Sequence, residues 1–183
     1  MSSLLVNVGR SVIEGREKLS SDIPTSYETF PDVQRRNYLQ EQLEVPVLVR
    51  LLDLPKGGAV LEVGCGRGIA LPPLARLLEP ERLCGLDIDC GLIEVAAHHV
   101  KENEVSASLL AGDVRRLPFA DASFDVVIDF GTCHHIAGPE IALKEIVRVL
   151  RPGGLFVAES LANQLLSHPL RTRGRRLPWK TVP

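Results

Sequence analysis

A chain of 183 residues has room for one ordinary domain and excludes two full-sized ones. Hydrophobic residues make up 45% and charged residues 24%, which excludes a disordered or collagen-like chain and leaves enough apolar material for a sizeable core. With 21 basic against 23 acidic side chains, a net charge of -2 and only 4% aromatic residues, the chain has neither the field nor the stacking platforms of a nucleic-acid binder. No nucleic-acid partner is expected.

The cysteines at 65, 84, 90 and 133 form no close C-x-x-C pair, so buried or merely available thiols are expected, and no metal site. The opening MSSLLVNVGR carries a short apolar run with no basic residue before it, which fails as a signal peptide. No stretch approaches the ~18 to 20 apolar residues of a membrane span. The expectation is a reduced, cytoplasmic protein without an integral membrane segment.

In chain order, residues 1–35 are polar, with Pro24 and Pro31 and no sustained period, and read as an N-terminal arm. Leu39, Leu43 and Val47 then stand four apart, and Leu48, Leu51 and Leu52 extend an apolar helical face; Pro46 is expected to divide this stretch into two short helices. From Ala59 the pattern becomes short apolar runs alternating with helical stretches. Strands are expected over 59–63, 82–87, 106–113, 124–130 and 154–160, and helices over 69–79, 91–103 and 139–150. Alternation of this kind predicts a doubly wound parallel α/β sheet with helices on both faces and ligands at the carboxyl ends of the strands. The domain is drawn over 36–160 and a locally cationic tail over 161–183, where Arg171, Arg173, Arg175, Arg176 and Lys180 occur without an acidic residue among them.

The strongest motif is LEVGCGRG at 61–68, an apolar strand that runs into a glycine-rich turn. Glycines 64, 66 and 68 permit a sharp turn and close approach of a ligand to the main chain. A nicotinamide fingerprint needs a small residue at the sixth position from the first glycine; Ile69 stands there. A phosphate-binding P-loop needs a following GKS or GKT, which is absent. Glu62, two residues before Gly64, suits a cationic ligand better than a pyrophosphate. Asp87 closes GLDID at 85–89, where a carboxylate can accept both hydroxyls of a ribose. Asp113, within AGDVRRLPF at 111–119, ends a third strand and is placed to receive an amino hydrogen of adenine.

With FDVVIDFGTCHHI and LRPGG following in order, the stretch from about Ala59 to Ser160 resembles the class I S-adenosylmethionine-dependent methyltransferases of the small-molecule branch. The resemblance implies a Rossmann-like sheet of order 3-2-1-4-5. It also implies S-adenosyl-L-methionine as cofactor, a small-molecule acceptor, lipid or quinone-like in one reading, and in-line methyl transfer. Carried over by position, Gly64, Cys65 and Gly66 would meet the methionine part of the cofactor, and Glu62 would orient their loop. Asp87 would take the ribose hydroxyls and Ile88 would lie against the adenine. Asp113 and Val114 would bind the adenine edge, and Asp129 and Phe130 would flank the methionine. The family's C-terminal strands 6 and 7 are missing or shortened, so the fifth strand is expected at an edge covered by the tail, the arm or a second subunit, a possible homodimer.

His134, after the fourth strand and therefore at the active edge, is the candidate general base, ahead of His135. His98 and His99 fall in a helix without partners at metal-ligand spacing, and His168 precedes a proline in the tail. Cys65 and Cys133 lie near the expected site but no local base accompanies either. The alternative function is a non-catalytic S-adenosylmethionine-binding or partner-regulating module.

Overall fold

The structure, a computed structural model, describes residues 5–7, 33–133 and 135–158. Six strands form one sheet: β1 (Leu5–Asn7), β2 (Ala59–Val63), β3 (Arg82–Asp87), β4 (Ser108–Ala111), β5 (Phe124–Asp129) and β6 (Leu150–Ala158). Their spatial order is β1-β4-β3-β2-β5-β6. All neighbours from β4 to β6 are parallel, so the five strands from β2 onward have the expected 3-2-1-4-5 order. β2 lies in the middle, and all five of its residues are buried. A continuous apolar run is what a central parallel strand covered on both faces requires.

Side chains alternate between the two faces along each strand. Val60, Val126, Ile128 and Val157 join Leu71, Leu74 and Ile93 in one core layer, under α2 (Val45–Leu51), α3 (Leu71–Leu78) and α4 (Cys90–Glu102). Leu61, Val63, Leu86 and Val127 join Ile146 and Val149 in the other, under α5 (Pro139–Val149) and a 3-10 turn at Val114–Arg116. Pro72 and Pro73 stand in the first turn of α3, where no N–H is owed to a preceding carbonyl. Asp89 caps α4 by accepting from the Gly91 and Leu92 amides at 2.8 and 3.2 Å.

β4 is shorter than the expected 106–113, and two further elements depart more strongly from the sequence expectation. Pro46 does not divide the helical stretch. α1 (Val33–Leu39) continues through a π-helical turn, Gln40–Glu44, into α2, with helical dihedrals at both junctions. The wider turn lies just where Pro46 would otherwise have faced the preceding carbonyls. At the other end, the strand expected from residue 154 begins at Leu150: Phe124 pairs with Leu150 and Val126 with Leu155, so the R-P-G-G segment bulges out of register. Arg151 is fixed there on Asp125 at 2.6 Å.

Part of the N-terminal arm also has regular structure. Leu5–Asn7 pairs antiparallel with β4, Leu5 opposite Leu110 and Asn7 opposite Ser108. The described part of the arm therefore covers the β4 edge, opposite the β6 edge. Three residues are too few to carry a readable alternation. The cationic tail at 161–183 lies outside the described residues.

Candidate active site at the carboxyl edge of the sheet

The carboxyl ends of β2, β3 and β5 bring three acidic residues under cover: Glu62 is 1% exposed, Asp129 2% and Asp87 8%. The loop after β2 is held by its backbone. The Cys65 amide donates to Leu86 O at 3.0 Å, and the Gly68 amide to Cys65 O at 2.8 Å. The Gly66 amide donates to Asp87 Oδ2 at 2.7 Å, while Asp87 Oδ1 accepts from the Asp89 amide at 2.9 Å. Asp87 thus shapes the glycine loop as well as ending β3. Motif spacing alone did not show this second task.

Gly64 and Gly66 both take left-handed dihedrals, with φ of 66° and 52°. A Cβ on Gly64 would overlap the Thr132 side chain, whereas one on Gly66 would meet nothing within 4 Å. The first glycine is therefore needed for packing between two loops and the second leaves open space beside the main chain. Thr132 Oγ1 donates to Val63 O at 3.3 Å, which joins the β5 loop to the end of β2. Asp129 gathers that β5 loop, accepting from the amides of Gly131 at 2.9 Å, Thr132 at 2.5 Å and Cys133 at 3.0 Å. Thr132 carried no signal in the sequence, because its importance arises only when two loops distant in the chain meet.

Electrostatically the edge is uncompensated. Burial pushes Glu62 well above the usual carboxylate range, Asp87 and Asp129 push it further, and Arg36 on α1 opposes them. Burial also raises Asp87, against the hydrogen bonds from the loop amides. Glu62 Oε2 is buried and has no hydrogen-bond partner among the described residues. A buried carboxylate oxygen of this kind is costly unless a donor or a cation reaches it. Arg36 itself is tied at 3.1 Å to Glu44, a mostly buried residue of the π-helical turn.

Asp113, beyond β4, is different. Arg115 grips its carboxylate through Nε and Nη2, at 3.0 and 2.6 Å, and holds it below the usual range. Val114 beside it is buried, and Ile88 and Phe130 are half-buried at the ends of β3 and β5. A clamp missed in the sequence fixes the segment after this end. Arg148 on α5 donates to Phe119 O at 2.8 Å and Leu117 O at 3.0 Å, and pairs with Asp121 and Glu145. Its Glu145 partner three residues earlier was the readable clue.

His134, the candidate base, lies outside the described residues; His135 is exposed, with its amide donating to Thr132 O at 3.0 Å. The two nearby thiols are poor nucleophiles. Burial, with Glu62 and Asp87, pushes Cys65 well up, and burial and Asp129 push Cys133 up to about 12.

A glycine loop with open space beside it, a buried carboxylate oxygen without a partner among the described residues and acids on three neighbouring strands make this edge of a Rossmann-like sheet a candidate site for a cationic ligand. The model of the methyltransferase-domain family matches residues 61–158, more than half of the chain. The chain belongs to this family of class I S-adenosylmethionine-dependent methyltransferases. A probable S-adenosylmethionine-dependent methyltransferase of Mycolicibacterium smegmatis is 35% identical over 154 residues, 84% of this chain and 57% of the relative. The fatty-acid O-methyltransferase of the same organism is 37% identical over 102 residues, 56% of this chain and 36% of the relative. Among solved structures, the PH0226 protein of Pyrococcus horikoshii superposes with a TM-score of 0.57 at 30% identity, covering 81% of this chain and 68% of that one. The chain spans little more than half the length of the first relative and about a third of the second.

Proposed function

We propose that this chain binds S-adenosylmethionine at the carboxyl edge of its sheet and directs methyl transfer to a small apolar acceptor of the lipid or quinone-like class. The observation that carries the reading is the set of buried acids Glu62, Asp87 and Asp129, with Glu62 Oε2 left without a donor among the described residues. In this reading the Gly64, Cys65 and Gly66 main chain lines the methionine end, Glu62 faces its positive charge, and Asp129 and Phe130 stand on its far side. Asp87 takes the ribose hydroxyls with the lone pairs left by its loop contacts. Ile88 lies against the adenine, and Asp113 and Val114 meet its edge. Bound there, S-adenosylmethionine supplies a methyl group on a positively charged sulfur that leaves as a neutral thioether.

The protein's task is chiefly to align acceptor, methyl and sulfur, which can contribute roughly 7 to 11 kcal/mol. An acceptor that must lose a proton needs a base, and His134 is assigned that role by its place after β5. The lipid class is supported by the likeness to a fatty-acid O-methyltransferase.

Calorimetry with S-adenosylmethionine, S-adenosylhomocysteine and NADP tests the cofactor. Incubation with labelled S-adenosylmethionine and a panel of fatty acids and quinols tests the reaction. Binding of the two adenosyl compounds alone, with S-adenosylhomocysteine released on adding a lipid-class acceptor, is expected. Preferential binding of NADP would overturn the cofactor, and binding without turnover on any acceptor would favour the non-catalytic module.

A further inference from the structure

The continuous helical stretch 33–51 carries two apolar faces where a surface helix ordinarily has one. The inner face, Val45, Leu48 and Val49, is buried in the core layer beneath α2 and α3. The outer face is a stripe at four-residue spacing: Leu39, Leu43, Val47 and Leu51. Leu43 is 54% exposed and Leu51 78%, and Tyr38 beside the stripe is 66% exposed. Such spacing aligns side chains along one side of a helix.

Charge along the same stretch is sorted as well. Its two acids are engaged in ion pairs, the mostly buried Glu44 with Arg36 at 3.1 Å and the partly exposed Glu41 with Arg76 of α3 at 3.3 Å. Arg35 and Arg50 are exposed near its two ends. The outer side therefore presents leucines, a tyrosine and arginines, with Asp53 the first exposed acid beyond it among the described residues. Apolar side chains flanked by cations, on a helix too short and mixed to span a bilayer, suit the headgroup layer of an anionic membrane.

The direction of the helices adds a reason. α2 ends at Leu51, a short loop before β2 begins at the opposite edge, so the earlier turns of the stretch lie toward the carboxyl edge. The stretch thus runs down the flank of the domain with its α1 end toward the carboxyl edge.

We propose that the outer face of residues 33–52 seats the protein on an anionic lipid surface, with the α1 end bringing the cofactor edge to the bilayer from which an apolar acceptor is taken. The proposal rests on the lipid-class reading of that edge.

The experiment is co-sedimentation of the full chain with vesicles of phosphatidylcholine alone or with about one third phosphatidylglycerol, alongside sedimentation velocity and a thermal shift by S-adenosylhomocysteine. Wild type is expected on the anionic vesicles at low salt and to be released as salt rises. Leu43→Glu with Leu51→Glu should weaken partitioning at least tenfold. Arg35→Gln with Arg50→Gln should weaken it about fivefold per arginine. Both variants should keep the S-adenosylhomocysteine shift, which shows that they fold. Wild type that ignores the anionic vesicles, or variants that bind them as well as wild type, would overturn the proposal. So would a dimer that the leucine pair turns into monomer without any vesicle binding, since a second copy would then own the face. Absence of the S-adenosylhomocysteine shift in wild type would strike the methyltransferase reading, and vesicle binding would still be scored independently.

Discussion

The two ends of the carboxyl edge use the same side-chain chemistry in opposite ways. At the β2, β3 and β5 ends, three acids are buried: Asp87 and Asp129 accept from backbone amides, and Glu62 Oε2 has no partner among the described residues. At the β4 end, Asp113 is half-exposed and already neutralised by Arg115. The first arrangement is unfavourable without a cation; in the second the protein supplies the countercharge. An acid at a strand end is thus not by itself a binding signal. What distinguishes the two is whether the protein supplies the countercharge.

Substitutions can break this contrast, and the largest effect is expected at Gly64. Gly64→Ala imposes a left-handed dihedral on a residue with a Cβ and drives that Cβ into Thr132. It should cost about 3 kcal/mol of stability, read from the urea midpoint, and abolish calorimetric cofactor binding. Asp87→Ala comes next. Loss of the charged acceptor should weaken S-adenosylhomocysteine about thirtyfold, equivalent to about 2 kcal/mol, measured by titration calorimetry. Unchanged affinity would remove Asp87 from the site.

A smaller effect separates the two ends by pH. Glu62 and Asp87 have folded values above their unfolded ones, so each favours the fold while protonated and loses that contribution as pH rises through its folded value. Glu62→Gln should therefore flatten the fall in melting temperature from the ordinary carboxylate value of 4.5 upward. Saturating S-adenosylmethionine should flatten it too. Asp113 has the opposite sign: its lowered value gives stability at neutral pH that is lost as pH falls through the folded value. Asp113→Asn should be the mildest change, under about 1 kcal/mol in chemical denaturation, because the pair is about one third exposed.

Much of this architecture was legible from periodicity. The central strands 59–63 and 82–87 were readable to the residue, because buried parallel strands are short apolar runs with sharp borders. The acidic strand ends were legible as motifs, but their partners were not. Asp87 to Gly66 spans 21 residues, Thr132 to Val63 spans 69, and neither contact has a local pattern. The helical stretch through Pro46 was misjudged for a related reason: a proline signals a missing donor, while the π-helical turn that accommodates it is set by packing. β6 was placed four residues late, since the P-G-G punctuation that ends α5 lies inside the bulge of the strand itself.

That π-helical turn has a consequence for how this sequence can change. A π turn is an α-helix holding one residue in surplus. Excising a single residue from Gln40–Glu44, for instance Gln42, would let the stretch relax into an ordinary α-helix and rotate everything before it by about 100° relative to α2. Arg36 would swing off Glu44 and away from Glu62 while the core contacts of Val45 and Leu48 stayed in place. A one-codon deletion in this turn should thus leave a folded domain whose carboxyl edge has lost the guanidinium that opposes the rise of Glu62, a lesion that circular dichroism would miss and ligand titration would find.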